Sequence, residues 1–208
     1  AGDTNILPAG WKVELVERDH GYNPGKAQQA YDAIKEDILF LGHSFGTPPT
    51  LPLRPFLEKD EIVAFPASLS SLMASHKYTP PAGPSYQIEA QRALDWAIGQ
   101  AGGAEKVKAG VIYQQDDYGK DGHAGWTEAA KAHGVAVVSE QAIKPGQKDF
   151  TAVVSDLKAK GATHIYLAIL PSATGPVLGT AAQMKFLPTW VGATASWIDA
   201  FFAHPKLP

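Results

Sequence analysis

A serine between two glycines has the setting that most clearly suggests covalent chemistry. Residues 42–46 read Gly-His-Ser-Phe-Gly, a match to the G-x-S-x-G pattern, and they follow a predicted buried strand at 38–41. In a nucleophile elbow this pattern forms a sharp turn between a strand and a helix. Ser44 would then be the nucleophile of a serine hydrolase, with Asp199 and His204 as candidate partners.

Three features of the sequence argue against a serine hydrolase. Prolines interrupt the helix that should begin directly after the elbow, at Pro48, Pro49 and Pro52. Only 41 residues precede the motif, too few for the strands and the oxyanion loop that usually come first in a hydrolase. His204 lies near the end of the chain. The alternative interpretation is a glycine-rich loop after a strand, placed to line a ligand site.

Two adjacent carboxylates, Asp116 and Asp117, raise the question of metal or acid–base chemistry. Asp121 and His123 lie nearby, but the spacing fits no standard ligand set for zinc or calcium. Adjacent side chains also point in different directions, which is unsuited to a paired general acid and base. Aspartate is a favourable helix N-cap, so we expect capping here, and we expect no metal or cofactor.

Small and hydroxyl-bearing residues follow several predicted strands. Pro-Ala-Ser-Leu-Ser-Ser at 66–71 follows a strand expected at 62–65, and similar loops stand at 170–175 and 192–196. Hydroxyls and free backbone N–H groups suit a carboxylate, and small side chains let a ligand approach closely. One such loop is equally well an ordinary turn. Taken together, the loops predict a cleft that holds a small ligand.

The elements that must position these loops alternate between strand and helix. In the second half we expect strands at 107–113, 135–142, 163–169 and 189–193, with helices at 119–133, 149–160 and 173–185 and from Ser196. In the first half we expect strands at 11–16, 38–41 and 62–65, helices at 24–36 and 85–101, a proline-interrupted helix reaching Lys59, and a loop at 66–84. Such alternation predicts an α/β fold with parallel sheets. The strands divide into two lobes, residues 1–103 and residues 104–208.

Composition excludes several classes of protein. The net charge is −3 and no basic run is present, which argues against binding to nucleic acid or to an anionic membrane. The chain has no cysteine, which excludes disulfides, thiolate zinc sites and cysteine nucleophiles. It also has no apolar run of about 18 residues, so we predict no membrane-spanning helix. No signal peptide is visible, and a mature exported chain would have lost it.

One segment carries a specific resemblance. Residues 110–121, Gly-Val-Ile-Tyr-Gln-Gln-Asp-Asp-Tyr-Gly-Lys-Asp, resemble the opening of the second lobe in the leucine/isoleucine/valine-binding proteins. These are periplasmic type I solute-binding proteins of ABC transporters. The other segments that resemble this family are residues 13–24, 46–48, 65–68 and 144–151. The similarity extends over nearly the whole chain from about Lys12.

The resemblance implies two Rossmann-like lobes that close on a solute without catalysis. It implies a periplasmic, monomeric receptor with its signal peptide removed, which delivers a small-molecule solute to ABC permease subunits. Carried over position by position, the ligand contacts are Phe45, Gly46, Thr47, Ala67, Ser68, Ser70, Tyr118, Leu170, Pro171 and Thr194. The first-lobe groups would hold a carboxylate, Tyr118 would close over the ligand, and Leu170 and Pro171 would line the opposite side. A ligand sensor on the same fold is the alternative, because a fold does not fix a function.

Two departures from the family pattern qualify this expectation. Thr194 stands where the family supplies an acid to the ammonium of the ligand, and an unpaired buried ammonium is costly. This predicts an aromatic or aliphatic carboxylate, or a neutral amide, rather than a branched-chain amino acid. The family also begins with a strand and a helix ahead of Trp11, and its chain crosses back to the first lobe at the end. We therefore expect a fragment with an incomplete first lobe.

Overall fold

The first sheet of the protein contains two parallel strands. In the computed structural model, which describes residue 8 and residues 10–202, strand β1 (Leu41–Phe45) pairs with β2 (Ala64–Ala67). The helices of this part of the chain are α1 (Pro24–Asp32), α2 (Thr47–Thr50) and α3 (Arg54–Asp60), with a 3-10 turn at Leu51–Leu53. Its small buried core consists of Tyr31, Leu53, Leu57, Ile62, Ala64 and Tyr78.

The prolines after β1 start helical turns instead of ending them. Each of α2, the 3-10 turn and α3 carries a proline in its first turn. Proline lacks an N–H, but the first turn of a helix leaves its N–H groups without intrahelical partners anyway. The proline-interrupted helix predicted as far as Lys59 is therefore confirmed as three short consecutive pieces.

The second sheet is larger and contains four parallel strands in the order β4-β3-β5-β6. These strands are β3 (Lys108–Gln114), β4 (Ala136–Ile143), β5 (His164–Ala168) and β6 (Thr189–Gly192). The helices are α4 (Tyr86–Ala101), α5 (Asp117–His133), α6 (Thr151–Ala159), α7 (Pro171–Gln183) and α8 (Asp199–Phe202). One face of the sheet packs against α4 and α5, and the other face packs against α6 and α7.

The core between this sheet and the α4–α5 pair is tightly packed. Trp126 stacks on Tyr166 with ring centroids 5.1 Å apart and planes 11° from parallel, and both side chains are fully buried. The two helices approach closely at Gly125, where an added Cβ would lie 2.1 Å from the carbonyl oxygen of Gln87. Only glycine fits at that position, so the sequence sets the spacing between α4 and α5.

Helix α4 belongs by its packing to the larger sheet. The buried residues that it contributes to the core of that sheet are Tyr86, Ala90, Leu94 and Ala97. In sequence, the strands of the two sheets lie before and after Gly102 and Gly103. The residues that contribute to the core of the larger sheet nevertheless begin earlier, at or before the start of α4. The division into residues 1–103 and 104–208 stays a prediction, and the packing favours a lobe boundary before Ser85.

The parallel α/β fold predicted from the sequence is confirmed, and its larger errors lie in the first half, while the last helix, expected from Ser196, begins at Asp199. The strand expected at 11–16 is wrong: Trp11, Val13 and Leu15 are 66%, 68% and 78% exposed, and this segment has no regular secondary structure. The strand expected at 38–41 is displaced, because pairing with β2 begins at Leu41. Apolar alternation and apolar runs identify strand-forming sequence, but the partner strand decides which residues pair.

Across the described part of the chain, no helix combines the length and the apolar character needed to cross a membrane.

Candidate functional site

The serine of the G-x-S-x-G motif lies inside a strand. Ser44 belongs to β1, is 6% exposed, and its Oγ lies 2.7 Å from Thr50 Oγ1. Its position removes the strand-to-helix turn that the hydrolase hypothesis requires. Asp199 is an exposed residue of α8, and His204 lies outside the described residues. Residues 42–45 of the motif instead belong to β1, and Gly46 connects this strand to α2.

The loops that follow β1 and β2 meet through their predicted ligand residues. The Gly46 N–H donates to the Ala67 carbonyl at 3.2 Å, and Thr47 Oγ1 lies 2.6 Å from Ser68 Oγ. Thr47 and Ser68 are 1% and 0% exposed. Gly46 has a φ of +89°, and a Cβ there would lie 2.5 Å from the ring of Tyr22. The structure therefore brings four of the ten predicted contacts together at one end of the smaller sheet.

Tyr22, which sequence reasoning did not select, connects this end to the larger sheet. Its ring meets Phe45 edge-on with centroids 6.0 Å apart, and its hydroxyl donates to Asp116 Oδ2 at 3.1 Å. Phe45 is 43% exposed. Tyr22 stands in a turn with a φ of 58°, and the sequence around it signals only the turn.

Tyr118, predicted to close over the ligand, lies buried in the first turn of α5, and its hydroxyl is already engaged. The hydroxyl oxygen lies 3.2 Å from both the Ile169 carbonyl and Ser196 Oγ, and the side chain is 2% exposed. This hydroxyl is therefore occupied by protein groups in the structure. The ring meets Tyr86 edge-on at 4.7 Å, so the aromatic part of the side chain is also packed inside the core of the larger sheet.

Asp116 is the N-cap of α5, as the sequence predicts. Its Oδ1 accepts from the Gly119 N–H at 3.0 Å, and its Oδ2 accepts from Gln114 and Tyr22. Among the described residues, no group of three or more His, Asp or Glu side chains is placed to hold a metal ion. Asp116 is thus both a helix cap and a contact between the two sheets.

A second contact between the sheets is formed by Asp121 on α5. Its carboxylate accepts from the Ser71 N–H at 2.9 Å and from the Ser71 hydroxyl. Ser70, the residue before, is 1% exposed, and its Oγ accepts from the Leu72 N–H at 3.3 Å. Ser70 therefore caps the short 3-10 turn that presents Ser71 to α5.

The remaining predicted contacts lie at the carboxyl ends of β5 and β6. Leu170 and Pro171 are half-buried at the start of α7, and Leu170 packs on the core beneath α4 and α5. Thr194 is exposed and donates its N–H to Glu89 Oε1 at 2.6 Å, and its hydroxyl donates to the same oxygen. The site therefore includes Glu89, a residue of α4 that sequence reasoning missed.

The electrostatics of this region are set by carboxylates. Burial raises the pKa of Tyr22, Tyr86, Tyr118 and Tyr166, and the charged groups that add to this effect are Asp116, Glu89 and Asp121. All four phenols stay neutral. Hydrogen bonds lower two of these pKa values in opposition to burial: those from Leu69 and Ser68 act on Tyr86, and that from Ser196 acts on Tyr118.

Two cavities of the described chain are lined by none of the ten predicted contacts. One, of about 290 Å³, is lined by Ser71, Leu72, Gln87, Asp117, Lys120, Asp121 and Ala124. The other, of about 370 Å³, is lined by Leu178, Leu187, Pro188, Trp190 and Trp197. Thr47, Ser68 and Tyr118 are instead packed among their neighbours, Thr47 against Ser68 and Tyr118 against Ile169 and Ser196.

The loops at the strand ends of the two parallel sheets are thus joined by hydrogen bonds between hydroxyl groups and carboxylates. The protein is therefore an α/β protein with a polar junction between its two sheets, a setting suited to a small ligand. The chain belongs to the periplasmic binding protein family, whose model matches residues 2–200. The resemblance to the leucine/isoleucine/valine-binding proteins is confirmed. No curated protein matches the chain.

Solved structures show the same fold. A fatty acid ABC transporter substrate-binding protein from Thermomonospora curvata is 25% identical, with a TM-score of 0.84 over 92% of this chain and 49% of that one. A branched chain amino acid ABC transporter from Thermus thermophilus with bound valine is 19% identical, with a TM-score of 0.75 over 86% and 47%. An R. palustris solute binding protein in complex with 4-hydroxybenzoate is 18% identical, with a TM-score of 0.78 over 90% and 52%. The chain spans about half the length of these structures.

Proposed function

We propose that this chain belongs to an extracytoplasmic solute-binding protein of an ABC transporter, and that it binds a small carboxylate or amino-acid-like ligand between its two sheets. Membership of the periplasmic binding protein family supports this role. The similar structures also support it, because a fatty acid, valine and 4-hydroxybenzoate all carry a carboxyl group. In this proposal a permease takes the solute and the chain does not transform it.

One observation carries the proposal: hydroxyls from two strand ends of the smaller sheet meet beside aromatic rings that connect to the larger sheet. Thr47 Oγ1 and Ser68 Oγ lie 2.6 Å apart, and one of the two protons can be redirected to a ligand oxygen. The half-buried ring of Tyr22, in contact with Phe45, supplies a flat surface next to them. Hydroxyl donors beside aromatic walls suit a carboxylate with an apolar body.

The contacts between the sheets suit a clamp that opens and closes. Tyr22 reaches Asp116, and Ser71 reaches Asp121, and both acceptors lie in the first turns of α5 or at its cap. A solute that touches both sheets would favour the arrangement in which these bonds are formed. The permease would then distinguish the closed population from the open one.

Calorimetry on the chain with leucine, valine and benzoates tests the proposal. We expect binding to at least one probe, weakened about tenfold or more by Ser68→Ala or Tyr118→Ala, in line with the loss of a buried contact. Ser155→Ala on α6, which packs on the opposite face of the larger sheet, is the control and should bind like the unaltered chain. Binding that survives both site substitutions would overturn this location of the site, and mass spectrometry of the recovered probe checks that it is unchanged.

A further inference from the structure

The turn at residues 19–23 holds Tyr22 in an unusual backbone conformation. Tyr22 has a φ of 58°, in the left-handed region that residues with a side chain rarely adopt, and Gly21 before it has a φ of 56°. Side chains fix the turn. The Gly21 N–H donates to Asp19 Oδ1 at 2.7 Å, and the next N–H donates to His20 Nδ1 at 3.0 Å. Such conformations persist only where the surroundings hold them, and they cluster at ligand sites.

The ring of Tyr22 lies on the loop that follows β1. Gly46 is buried, and a Cβ on it would lie 2.5 Å from ring carbon Cε2 of Tyr22, so the ring covers this glycine directly. The same ring meets Phe45 edge-on with centroids 6.0 Å apart. No side chain larger than that of glycine fits at residue 46 while Tyr22 stays in place, so the two residues are matched to each other.

Apolar surface remains open beside this pair. Phe45 is 43% exposed and Tyr22 is half-buried, so a solute can reach both rings. The same short loop continues with Thr47, whose Oγ1 lies 2.6 Å from Ser68 Oγ. A solute whose carboxylate binds these hydroxyls therefore has its apolar body within reach of the two rings.

The hydroxyl of Tyr22 keeps the ring from moving aside. It donates to Asp116 Oδ2 at 3.1 Å, and the same oxygen accepts from Gln114 Nε2. Asp116 is itself fixed as the N-cap of α5. The ring is thus held at one end by its turn and at the other end by the start of α5. A wall that cannot yield discriminates between ligands by size, because a ligand that is too large meets it in a clash.

We propose that Tyr22 is a specificity-determining residue of the solute site, and that its ring limits the size of the apolar body of the ligand. A compact body fits against Phe45 and the ring, whereas a longer one displaces the ring and breaks its bond to Asp116. This inference rests on the proposed function and narrows its ligand to a carboxylate with a compact apolar body.

Calorimetry with two pairs of probes tests the inference. The pairs are benzoate with 4-phenylbenzoate and valine with phenylalanine, in which the charged groups are the same and the apolar body differs in size. We expect the unaltered chain to bind the smaller member of at least one pair at least tenfold more tightly. Tyr22→Ala removes the wall and should reduce that preference at least tenfold, by tightening the larger member. Tyr22→Phe keeps the ring and should retain part of the preference.

Trp96→Ala, which removes an exposed aromatic side chain from α4, is the matched control and should leave the preference unchanged. Thermal melting of each variant identifies any loss of folding, and Tyr22→Leu takes the place of Tyr22→Ala if the latter unfolds. Partial unfolding lowers the apparent affinity for both members of a pair by the same factor, so the ratio of the two affinities reports the wall alone.

Two results overturn the inference. One is a preference that Tyr22→Ala or its substitute Tyr22→Leu leaves unchanged. The other is binding of the larger members to the unaltered chain that is as tight as that of the smaller ones. If binding then still depends on Ser68, the proposed function stands without the inference. If none of the four probes binds, the proposed function fails as well.

Discussion

The region around the smaller sheet, up to residue 84, and the region around the larger sheet, residues 85–202, are built from the same alternation of strands and helices but are covered very differently. In the larger sheet both faces are packed, and Trp126, Leu157 and Ile165 are fully buried. In the smaller sheet Phe40 and Phe65 meet edge-on yet remain 52% and 47% exposed.

Within the described residues, less of the smaller sheet is therefore covered than of the larger one. The larger region has a core of its own, whereas the loops of the smaller region are positioned partly by bonds to the larger one. These bonds join Tyr22 to Asp116 and Ser71 to Asp121. We therefore expect the smaller region to open at a lower free energy, as ligand-binding segments commonly do.

The largest expected effect comes from removing a core leucine in each region. Leu157 and Leu57 are both fully buried. Leu157→Ala should lower the free energy of unfolding of the larger region by about 4 kcal/mol, because it leaves a cavity beneath the sheet. Leu57→Ala removes the same group from the smaller core. Chemical denaturation followed by tryptophan fluorescence, combined with hydrogen exchange, measures both.

The segments whose amide exchange accelerates distinguish the two leucine variants most clearly. Leu57→Ala should accelerate amide exchange in the smaller region and leave the amides of β3 and β5 protected. Leu157→Ala should accelerate exchange throughout β3, β4 and β5. If Leu57→Ala deprotects the larger sheet equally, the two regions form one cooperative unit and the comparison is wrong.

The next effect tests the close approach of α4 and α5. A Cβ at Gly125 would lie 2.1 Å from the Gln87 carbonyl oxygen, so Gly125→Ala should destabilise the larger region by about 3 kcal/mol. Gly99 lies on α4, the partner helix of α5, and has open space around it. Gly99→Ala should therefore be neutral or stabilising by about 0.5 kcal/mol. Thermal denaturation compares the two. Equal effects would contradict the assignment of α4 to the larger core.

A smaller effect should follow from removing one hydroxyl that joins the regions. Tyr22→Phe deletes the bond to Asp116, whereas Tyr31→Phe deletes a bond to Asp60 within the smaller region. Each substitution should cost about 1 kcal/mol. Only Tyr22→Phe should also raise amide exchange on both sides of the junction, near Gly46 and near Asp116. Similar exchange patterns for the two variants would show that Tyr22 does not couple the regions.

The sequence predicts the larger region better than the smaller one for a physical reason. Its strands lie between two helical layers, and its helices carry strong caps: Ser85 and Asp116 begin α4 and α5, and Gly102 and Gly134 end them. Local signals of this kind determine the elements directly. In the smaller region the strand at Leu41–Phe45 depends on its partner, and a local apolar run does not reveal that dependence.

The candidate site is partly predictable for a related reason. Strand-end loops are visible in sequence, and Gly46, Thr47, Ala67 and Ser68 indeed lie together. Glu89 lies on a helix and reaches the site only through tertiary packing. No spacing in the sequence relates it to Thr194, and it was therefore missed.

The smallest expected effect concerns pH and the larger sheet. Burial lowers the pKa of His164 below its ordinary value of 6.5. The unfolded chain then binds the proton more readily, so the stabilising contribution is complete above pH 6.5 and is lost as the pH falls below that value. Denaturation midpoints should therefore decline between pH 7 and pH 5 less steeply for His164→Gln than for the unaltered chain. Identical slopes would show that His164 does not contribute.

Hydrogen exchange with and without a saturating probe that calorimetry shows to bind, whether an amino acid or a benzoate, tests the central claim most directly. The claim is that one solute is held by the strand ends of both sheets. We predict slower exchange on binding at 45–48 and 67–71 from the smaller sheet, and at 116–119 and 169–172 from the larger one. Protection confined to one sheet, or located away from both sets of loops, would contradict the account.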